Sequence, residues 1–323
     1  MEKIKYQDFL TDSGFMNKIK KFLRKYYVRY IKKGRWECKD QAFWRLVSRE
    51  SRIECLSSNF LFTEGPVWFA EHRCLLFSDI PASKIYRYIP GIGIDIFRSP
   101  SGKSNGLTRD RNGLLVTCEH QNRRVSKTYP DGKVVSLASS FSEKRLNSPN
   151  DIVVKKDGSI YFTDPPYGIK PQEQEQEKQG VYRISPDGKE IRLVAEDFDR
   201  PNGLAFSPDE SKLYVDDSSR KHIRVFHVDT DGSLKDGKIF LDMNIPDRGN
   251  PDGMKVDIEG NIYCTGPGGV WVITPEGKCL GRIIPHEQPA NCAWGDDDYC
   301  SLYITAHTAL YRVRVNIPGI PVL

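Results

Sequence analysis

The sequence lacks the features of a membrane protein and of a protein held together by disulfides. No apolar run approaches the roughly 20 residues that a membrane-spanning helix needs, and no segment resembles a signal peptide. The eight cysteines show no Cys-x-x-Cys pair or other close spacing, which argues against a zinc site built on thiolates. We therefore expect a cytoplasmic protein with reduced cysteines.

A strong charge of one sign is also missing from most of the chain. The net charge is +5, but residues 1–50 carry 14 Lys and Arg against 6 Asp and Glu, which leaves −3 for the remainder. Because the larger part of the chain is mildly acidic, we expect no nucleic-acid partner.

The sequence does contain one pattern that is repeated six times. Each copy begins with a polar residue before a short apolar stretch, at Glu64, Asn105, Asn150, Asn202, Asp252 and Asn291. The copies lie 41, 45, 52, 50 and 39 residues apart, and Asp-Gly and Asn-Gly turn signals separate apolar stretches within them. A period of roughly 40 to 50 residues with several short strands is typical of a β-propeller. The sequence therefore predicts an all-β, six-bladed β-propeller.

The last copy has room for only three strands, so the ring needs a further strand to close. Residues 51–57 alternate apolar and polar side chains just before the first copy. Because a missing strand would leave open sheet edges, we expect this segment to complete the last blade, within a propeller domain of residues 51–323. The Gln- and Glu-rich residues 171–179 are predicted to be a solvated loop without a catalytic role.

Residues 1–50 lie outside the repeat and are predicted to form a basic amphipathic helical extension. Apolar and aromatic residues recur at helical spacings, at Met16, Ile19, Phe22, Leu23, Tyr26, Tyr27 and Tyr30. A second short helix is predicted around Ala42, Phe43, Leu46 and Val47. We expect the N-terminal helix to pack on the propeller, and contact with an anionic membrane surface is the alternative.

The six residues that open the copies should meet at one mouth of the central channel, because innermost propeller strands run side by side. All six are carboxylates or carboxamides, and the ends of the second strands bring further acids, such as Glu119 and Asp217, to the same mouth. So many carboxylates would repel one another unless a cation neutralised them. A set of hard oxygen ligands suits Ca²⁺ best, with Zn²⁺, Mg²⁺ and Mn²⁺ as alternatives.

Several stretches resemble the gluconolactonase, senescence marker protein-30 and luciferin-regenerating enzyme family, whose members are six-bladed propellers. They are Glu64-Gly-Pro-Val-Trp, Ser148-Pro-Asn-Asp151, Pro201-Asn-Gly-Leu204 and Pro251-Asp-Gly-Met254. The resemblance implies that Glu64, Asn202 and Asp252 bind a divalent metal, with Asn150 as a fourth ligand or a substrate contact. It also implies that Asn105, Glu119 and His120 line the substrate pocket.

The resemblance is incomplete at one position. Some members of the family place an arginine two residues before the position of Asn150, where it holds a sugar lactone. Here that residue is Ser148. The type of lactone therefore stays open, with Arg123 or Arg145 as substitutes for the missing guanidinium.

The resemblance further implies a metal-dependent lactonase, a carboxylic ester hydrolase that acts on a small molecule. The metal would polarise the lactone carbonyl. Asp252 would accept a proton from the attacking water or act as the nucleophile itself, while Asp217 would orient a ligand. His120 would carry a proton or contact the substrate.

Two other functions stay open at this point. The same polar ring is similar to that of paraoxonase-like propellers, so arylesterase or phosphotriesterase activity is one alternative. The other is a non-enzymatic propeller whose polar ring is structural and whose surface binds another protein.

Overall fold

Residues 34–322 are described in the computed structural model, and they form a ring of six antiparallel sheets, the blades of a β-propeller. The innermost strands of successive blades lie side by side, and that of blade six lies next to that of blade one. The ring is therefore closed, and the predicted six-bladed, all-β architecture is confirmed.

The blades follow one another along the chain, each with its strands in order from the channel outwards. Strand β1 (Arg35–Cys38), helix α1 (Phe43–Leu46) and strand β2 (Ile53–Ser58) precede them. Blade one contains β3 (Thr63–Phe69), β4 (Cys74–Asp79), β5 (Lys84–Ile89) and β6 (Gly93–Arg98). Blade two contains β7 (Ser104–Arg109), β8 (Leu115–Glu119), β9 (Arg124–Thr128) and β10 (Val134–Ala138). A hairpin of β11 (Ser140–Phe141) and β12 (Lys144–Arg145) leads to blade three.

The remaining four blades repeat this plan. Blade three contains β13 (Ile152–Val154), β14 (Ile160–Thr163), β15 (Val181–Ile184) and β16 (Ile191–Ala195). Blade four contains β17 (Pro201–Phe206), β18 (Lys212–Asp217), β19 (His222–Val228) and β20 (Leu234–Asp242). Blade five contains β21 (Met254–Val256), β22 (Ile262–Gly266), β23 (Gly269–Ile273) and β24 (Cys279–Ile284). Blade six contains β25 (Asn291–Gly295), β26 (Ser301–Ala306) and β27 (Ala309–Arg314), and 3₁₀ turns occur at Ala70–His72 and Pro171–Glu173.

Burial decreases from the channel outwards because inner strands are covered by neighbouring blades on both faces. Every residue of β3 and β4 is buried, whereas the outermost strand of the same blade, β6, is largely exposed. The turns between strands follow the sequence signals, since Gly132 and Gly158 take φ values of 81° and 90° after an aspartate.

Blade six obtains its fourth strand from the beginning of the described chain. Strand β2 pairs antiparallel with β27, with Ile53 opposite Val313. Across the seam between blades six and one, the rings of Trp68 and Tyr303 stack with centroids 5.7 Å apart. Strands from both ends of the propeller sequence thus close the ring.

The helical extension predicted for residues 1–50 is wrong where the structure describes it. Arg35–Cys38 is a strand that pairs antiparallel with β24 and forms a fifth strand of blade five. Without β1, the outer edge of β24 would present unpaired backbone groups. Gly281 allows β1 to approach this edge closely, because a Cβ at Gly281 would lie 2.2 Å from Glu37 O. Between residues 34 and 50 only Phe43–Leu46 is helical, where the second short helix was predicted.

The predicted amphipathic helix around residues 16–30 lies outside the described residues. Within residues 34–322, no helix combines the length and the apolar character that crossing a membrane requires.

Candidate active site

A cavity of about 530 Å³ opens at one end of the central channel, where the innermost strands begin. Six of the residues predicted for the site line it: Glu64, Asn105, His120, Asn150, Asn202 and Asp252. The four predicted metal ligands are therefore brought to one place. Sequence reasoning missed several other lining residues, which lie in loops or at strand ends: Tyr167, Ser218, Arg248, Gln288 and His307.

Glycines allow the blades to approach closely enough to form this ring of polar side chains. A Cβ on Gly65 would lie 2.0 Å from the carbonyl oxygen of Asn105, at the start of the next blade. A Cβ on Gly203 would lie 2.1 Å from the carbonyl oxygen of Asp252. Gly65 and Gly203, which follow Glu64 and Asn202, are therefore needed because a side chain at either position would prevent the contact between blades.

Hydroxyl groups of the second strands then fix the backbone of the ring residues. Ser78 Oγ donates a hydrogen bond of 2.7 Å to Asn105 O, and Thr163 Oγ1 donates one of 2.8 Å to Asn202 O. Each bond runs from one blade to the next. Because these groups are buried, losing such a bond would leave an unsatisfied carbonyl oxygen and displace the side chain that it positions.

Three carboxamides form a chain along one side of the cavity. Asn105 Nδ2 donates to Asn150 Oδ1, Asn150 Nδ2 donates to Asn202 Oδ1 at 2.5 Å, and Asn202 Nδ2 donates to Ser218 Oγ at 3.0 Å. Asn105 Nδ2 also lies 3.1 Å from His120 Nε2. Each amide oxygen keeps a lone pair beyond the one used in the chain, so Asn150 and Asn202 can still ligate a cation.

Four carboxylates gather around the channel axis, and two of them, Glu64 and Asp252, line the cavity. Burial, and then the charge of Asp151, raises the pKa of Glu64 to about 7. Burial followed by the charges of Glu64, Asp216 and Asp151 raises the pKa of Asp252 well above its usual value. Burial also raises the pKa values of Asp151 and Asp216. The site thus holds negative charge that needs either protons or a cation.

The residues present fit a hard divalent cation. Asp216 Oδ1 is buried and has no hydrogen-bond partner within residues 34–322, which is costly for a carboxylate unless a positive charge is near. No three Asp, Glu, His or Cys side chains of the described chain converge into a metal-binding group. The predicted ligands, however, are two carboxylates and two carboxamides, Glu64, Asp252, Asn150 and Asn202, a donor chemistry that Ca²⁺ accepts.

His120 lies in the cavity wall as an uncharged imidazole. Burial lowers its pKa to about 4, so the ring carries no extra proton at neutral pH. A neutral His120 can accept or donate a hydrogen bond, and its Nε2 contacts Asn105 Nδ2. The group is therefore suited to positioning its neighbours, and less suited to acting as an acid at neutral pH.

Two predicted site residues, Asp217 and Glu119, do not reach the cavity. The Asp217 carboxylate instead accepts hydrogen bonds from backbone N–H groups, those of Asp199 at 2.7 Å and Arg200 at 3.2 Å. Glu119 is 1% exposed and binds the side chains of Arg98, Asn122, Arg124 and Ser126. Asp217 thus holds the segment that precedes β17, whereas Glu119 joins β8 to β9 and to Arg98 of the preceding blade.

A second cavity, of about 310 Å³, lies at the opposite end of the channel and is mainly apolar. The C-terminal residues Ile320, Pro321 and Val322 contribute to its wall, and Val322 O accepts a hydrogen bond of 3.3 Å from Arg109 Nη1. No set of convergent carboxylates faces it from the described residues, which leaves the polar mouth as the candidate active site.

The fold and this mouth together define a six-bladed propeller with an oxygen-rich site on its axis. Residues 62–308 match the family described as SMP-30/Gluconolactonase/LRE-like region, and the chain belongs to this family.

Three relatives illustrate the similarity. The chain is 36% identical over 296 residues to a gluconolactonase of Zymomonas mobilis subsp. mobilis, covering 83% of this chain and 82% of that protein. It is 28% identical over 269 residues to regucalcin of Bos taurus, covering 79% and 86% of the two chains. The solved structure of a gluconolactonase from Xanthomonas campestris matches with a TM-score of 0.81 and 33% identity, covering 87% of this chain and 95% of that one.

Proposed function

We propose that this chain is a divalent-metal-dependent lactonase in which Asp252 activates the attacking water. The observation that carries the proposal is the convergence of Glu64, Asn202 and Asp252, from three different blades, on one polar cavity. The cavity volume of about 530 Å³ is sufficient for a small lactone. The 36% identity to a gluconolactonase supports the same reaction class.

Glu64, Asn150, Asn202 and Asp252 would hold the cation, for which Ca²⁺ is the first candidate by its preference for oxygen ligands. When bound, it would supply positive charge that keeps the carboxylates ionised and stabilises the negative charge developing on the lactone carbonyl oxygen.

Asp252 acts as the general base in this mechanism. It takes a proton from the water that attacks the carbonyl carbon, and it returns the proton to the ring oxygen when the ring C–O bond breaks. A carboxylate of raised pKa is a stronger base once ionised, and a positioned base contributes about 10²- to 10⁴-fold. Asn105, held next to neutral His120, helps to position the substrate.

The test compares three substrates, gluconolactone, phenyl acetate and paraoxon, with the full-length protein. Each is assayed with Ca²⁺, Mg²⁺, Mn²⁺ or Zn²⁺ and after treatment with EDTA. We expect lactone hydrolysis that chelation abolishes and a divalent cation restores. Preferred turnover of the ester or phosphotriester would identify the alternative hydrolase, and absence of both activity and bound metal would favour a binding module.

Substitutions separate the site from the rest of the chain. Glu64→Gln and Asp252→Asn are expected to lower kcat by about 10²-fold or more. Glu190→Gln is a matched control, because Glu190 pairs with Arg192 on the surface. Activity that survived both chelation and the two site substitutions would contradict the proposal.

A further inference from the structure

The segment between β14 and β15, residues 165–179, is here named the blade-three arm. Its polar part was predicted to be a solvated loop, which is wrong for Gln176. This side chain is 7% exposed, and its Nε2 donates hydrogen bonds of 2.9 Å to Phe141 O and 2.8 Å to Lys144 O. One buried amide therefore attaches the arm to the β11–β12 hairpin.

A charged contact lies next to this anchor. Glu175 Oε2 accepts a hydrogen bond of 2.8 Å from the backbone N–H of Arg145, and Glu175 Oε1 lies 3.3 Å from Arg123 Nη1. The Arg123 guanidinium is buried and also donates to Leu146 O at 2.7 Å. Both arginines considered as substitutes for a substrate-binding guanidinium thus contact the arm.

The other end of the arm packs against His120, a residue of the cavity wall. The backbone N–H of Gly168 donates a hydrogen bond of 3.0 Å to Ser148 Oγ. A Cβ at Gly168 would lie 2.3 Å from that oxygen and 2.7 Å from His120 Cβ. The arm therefore packs directly on the site, and the preceding residue, Tyr167, has a defined position.

Tyr167 extends from this anchor into the wall of the cavity, beside Ser218 and Asp252. The Arg200 guanidinium carbon lies 5.3 Å from its ring centroid, a cation–π contact that helps to hold the ring in place. Although 39% of the residue is exposed, burial of its hydroxyl end raises the pKa of Tyr167 to about 12. The hydroxyl is therefore protonated at neutral pH and can donate a hydrogen bond.

We propose that Tyr167 is a substrate-positioning residue, which donates a hydrogen bond to the bound substrate, and that the blade-three arm fixes it over the site. The inference rests on the proposed lactonase function. The Tyr167 ring covers one side of the substrate, and its hydroxyl faces the side of the cavity that contains Asp252. This role needs the anchor at Gln176, because that residue secures the arm on the side remote from Gly168.

The first experiment measures gluconolactone kinetics for Tyr167→Phe and Tyr167→Ala. Losing one neutral hydrogen bond should raise KM about two- to tenfold in Tyr167→Phe with little change in kcat, and Tyr167→Ala should raise it further. Tyr129→Phe and Tyr129→Ala are matched controls, since Tyr129 is 41% exposed and does not line the cavity. If the wild type is active and both Tyr167 variants have the same KM as the wild type, the role of Tyr167 is contradicted and the lactonase function is not.

The second experiment tests the anchor without using catalysis. Hydrogen–deuterium exchange of residues 165–179 should be slow in the wild type and accelerate in Gln176→Ala, which should also raise KM. Lys144→Ala is the control, because it removes only the exposed ion pair with Glu177. Equal exchange in Gln176→Ala and the wild type would contradict the role given to the arm.

A binding measurement distinguishes failure of the inference from failure of the proposed function. Calorimetry with gluconate, the hydrolysis product of gluconolactone, should give weaker binding to both Tyr167 variants than to the wild type. A wild type that neither hydrolyses gluconolactone nor binds gluconate would contradict the lactonase function and the role of Tyr167 with it. Wild-type binding that both variants retain unchanged would contradict only the role of Tyr167.

Discussion

Asn291 Nδ2 donates a hydrogen bond of 3.0 Å to Glu64 Oε2, and this bond joins the last blade to the first. Both side chains are buried, with 2% and 3% of their surfaces exposed. The same amide lies 3.4 Å from Asp151 Oδ2, so it also links the carboxylates of blades one and three. One side chain therefore contributes both to closure of the propeller and to the placement of a candidate metal ligand.

Asn291→Leu should destabilise the protein by about 1–3 kcal/mol, because it removes one hydrogen-bond donor from two buried carboxylates. It should also lower activity, since the position of Glu64 is no longer fixed. Chemical denaturation measures the first effect and kcat/KM the second. Asn316→Leu is the matched control, because Asn316 is exposed and its side-chain amide donates to the carbonyl oxygen of Arg45. Equal stability of the two variants would contradict the role of Asn291 at the seam.

The repeat allowed much of the site to be predicted. Glu64, Asn105, Asn150, Asn202 and Asp252 occupy equivalent positions in their copies, and rotation about the channel brings equivalent positions to the same mouth. The resemblance to a family of six-bladed propellers agreed with this arrangement. The site residues that occur at equivalent positions of the repeat were therefore predictable, because the propeller places these positions next to one another.

The second strands were harder to interpret, because adjacent side chains point to opposite sides of a strand. Asp216 and Asp217 are neighbours, and the sequence did not show which of them faces the channel. The charge of Asp216 acts on Asp252, whereas Asp217 binds backbone amides of a loop. The register of β18 against its neighbours decides this, and register depends on contacts distant in the sequence.

Loop residues of the site had no sequence signal. Tyr167, Arg248, Gln288 and His307 line the cavity from loops, whose paths depend on contacts between residues distant in the sequence. The bond from Gln176 to Phe141 O is one such contact, and no local pattern predicts it. Similarly, strand β1 forms because the edge of β24 is available, although a helical pattern was expected in that part of the chain.

Without a bound cation, the stability of the protein should fall as the pH rises from about 5 to 8. The pKa values of Glu64 and Asp164 are both raised by burial to about 7. In the folded protein these two carboxyl groups keep their protons up to about pH 7, whereas in the unfolded chain they release them near their ordinary pKa values. The stabilisation that results from this difference is complete at low pH and is lost as the pH rises through 7. The slope is about 1.4 kcal/mol per pH unit for each group, and thermal unfolding in EDTA measures it.

Calcium should reverse this trend at the carboxylates that bind it. Metal binding requires ionised ligands, so Ca²⁺ should raise Tm more at pH 8 than at pH 5. Glu64→Gln should reduce this increase, and Glu190→Gln should not. A Tm at pH 8 that is independent of every divalent cation tested would contradict the assignment of Glu64 as a metal ligand.

His120→Gln should lower kcat/KM without changing the shape of the pH profile between pH 5.5 and 8. The wild-type imidazole is already neutral over this range, since its pKa is about 4. Loss of its contact with Asn105 should reduce kcat/KM about two- to tenfold. His227→Gln, at an exposed position, is the control. A titration near pH 6 to 7 that disappears in His120→Gln would instead show that this histidine transfers a proton.

Gly203→Ala should impair stability and catalysis together, because the site depends on the close approach of blades four and five. The added Cβ would lie 2.1 Å from Asp252 O and 2.8 Å from Asp216 Oδ2, far inside ordinary contact distance. Relief requires movement of the Asp252 backbone, so we expect about 1–3 kcal/mol of destabilisation and a lower kcat.

The matched control for Gly203→Ala is Gly188→Ala, in a turn of blade three where no neighbouring atom of residues 34–322 lies within 4 Å of the added carbon. Its φ of 73° makes alanine unfavourable there as well, at a cost of about 1–2 kcal/mol, but far from the channel. Denaturation and gluconolactone kinetics should therefore show similar losses of stability in the two variants and a loss of kcat only in Gly203→Ala. If both variants kept the wild-type kcat, the contact between Gly203 and Asp252 would not determine the geometry of the site.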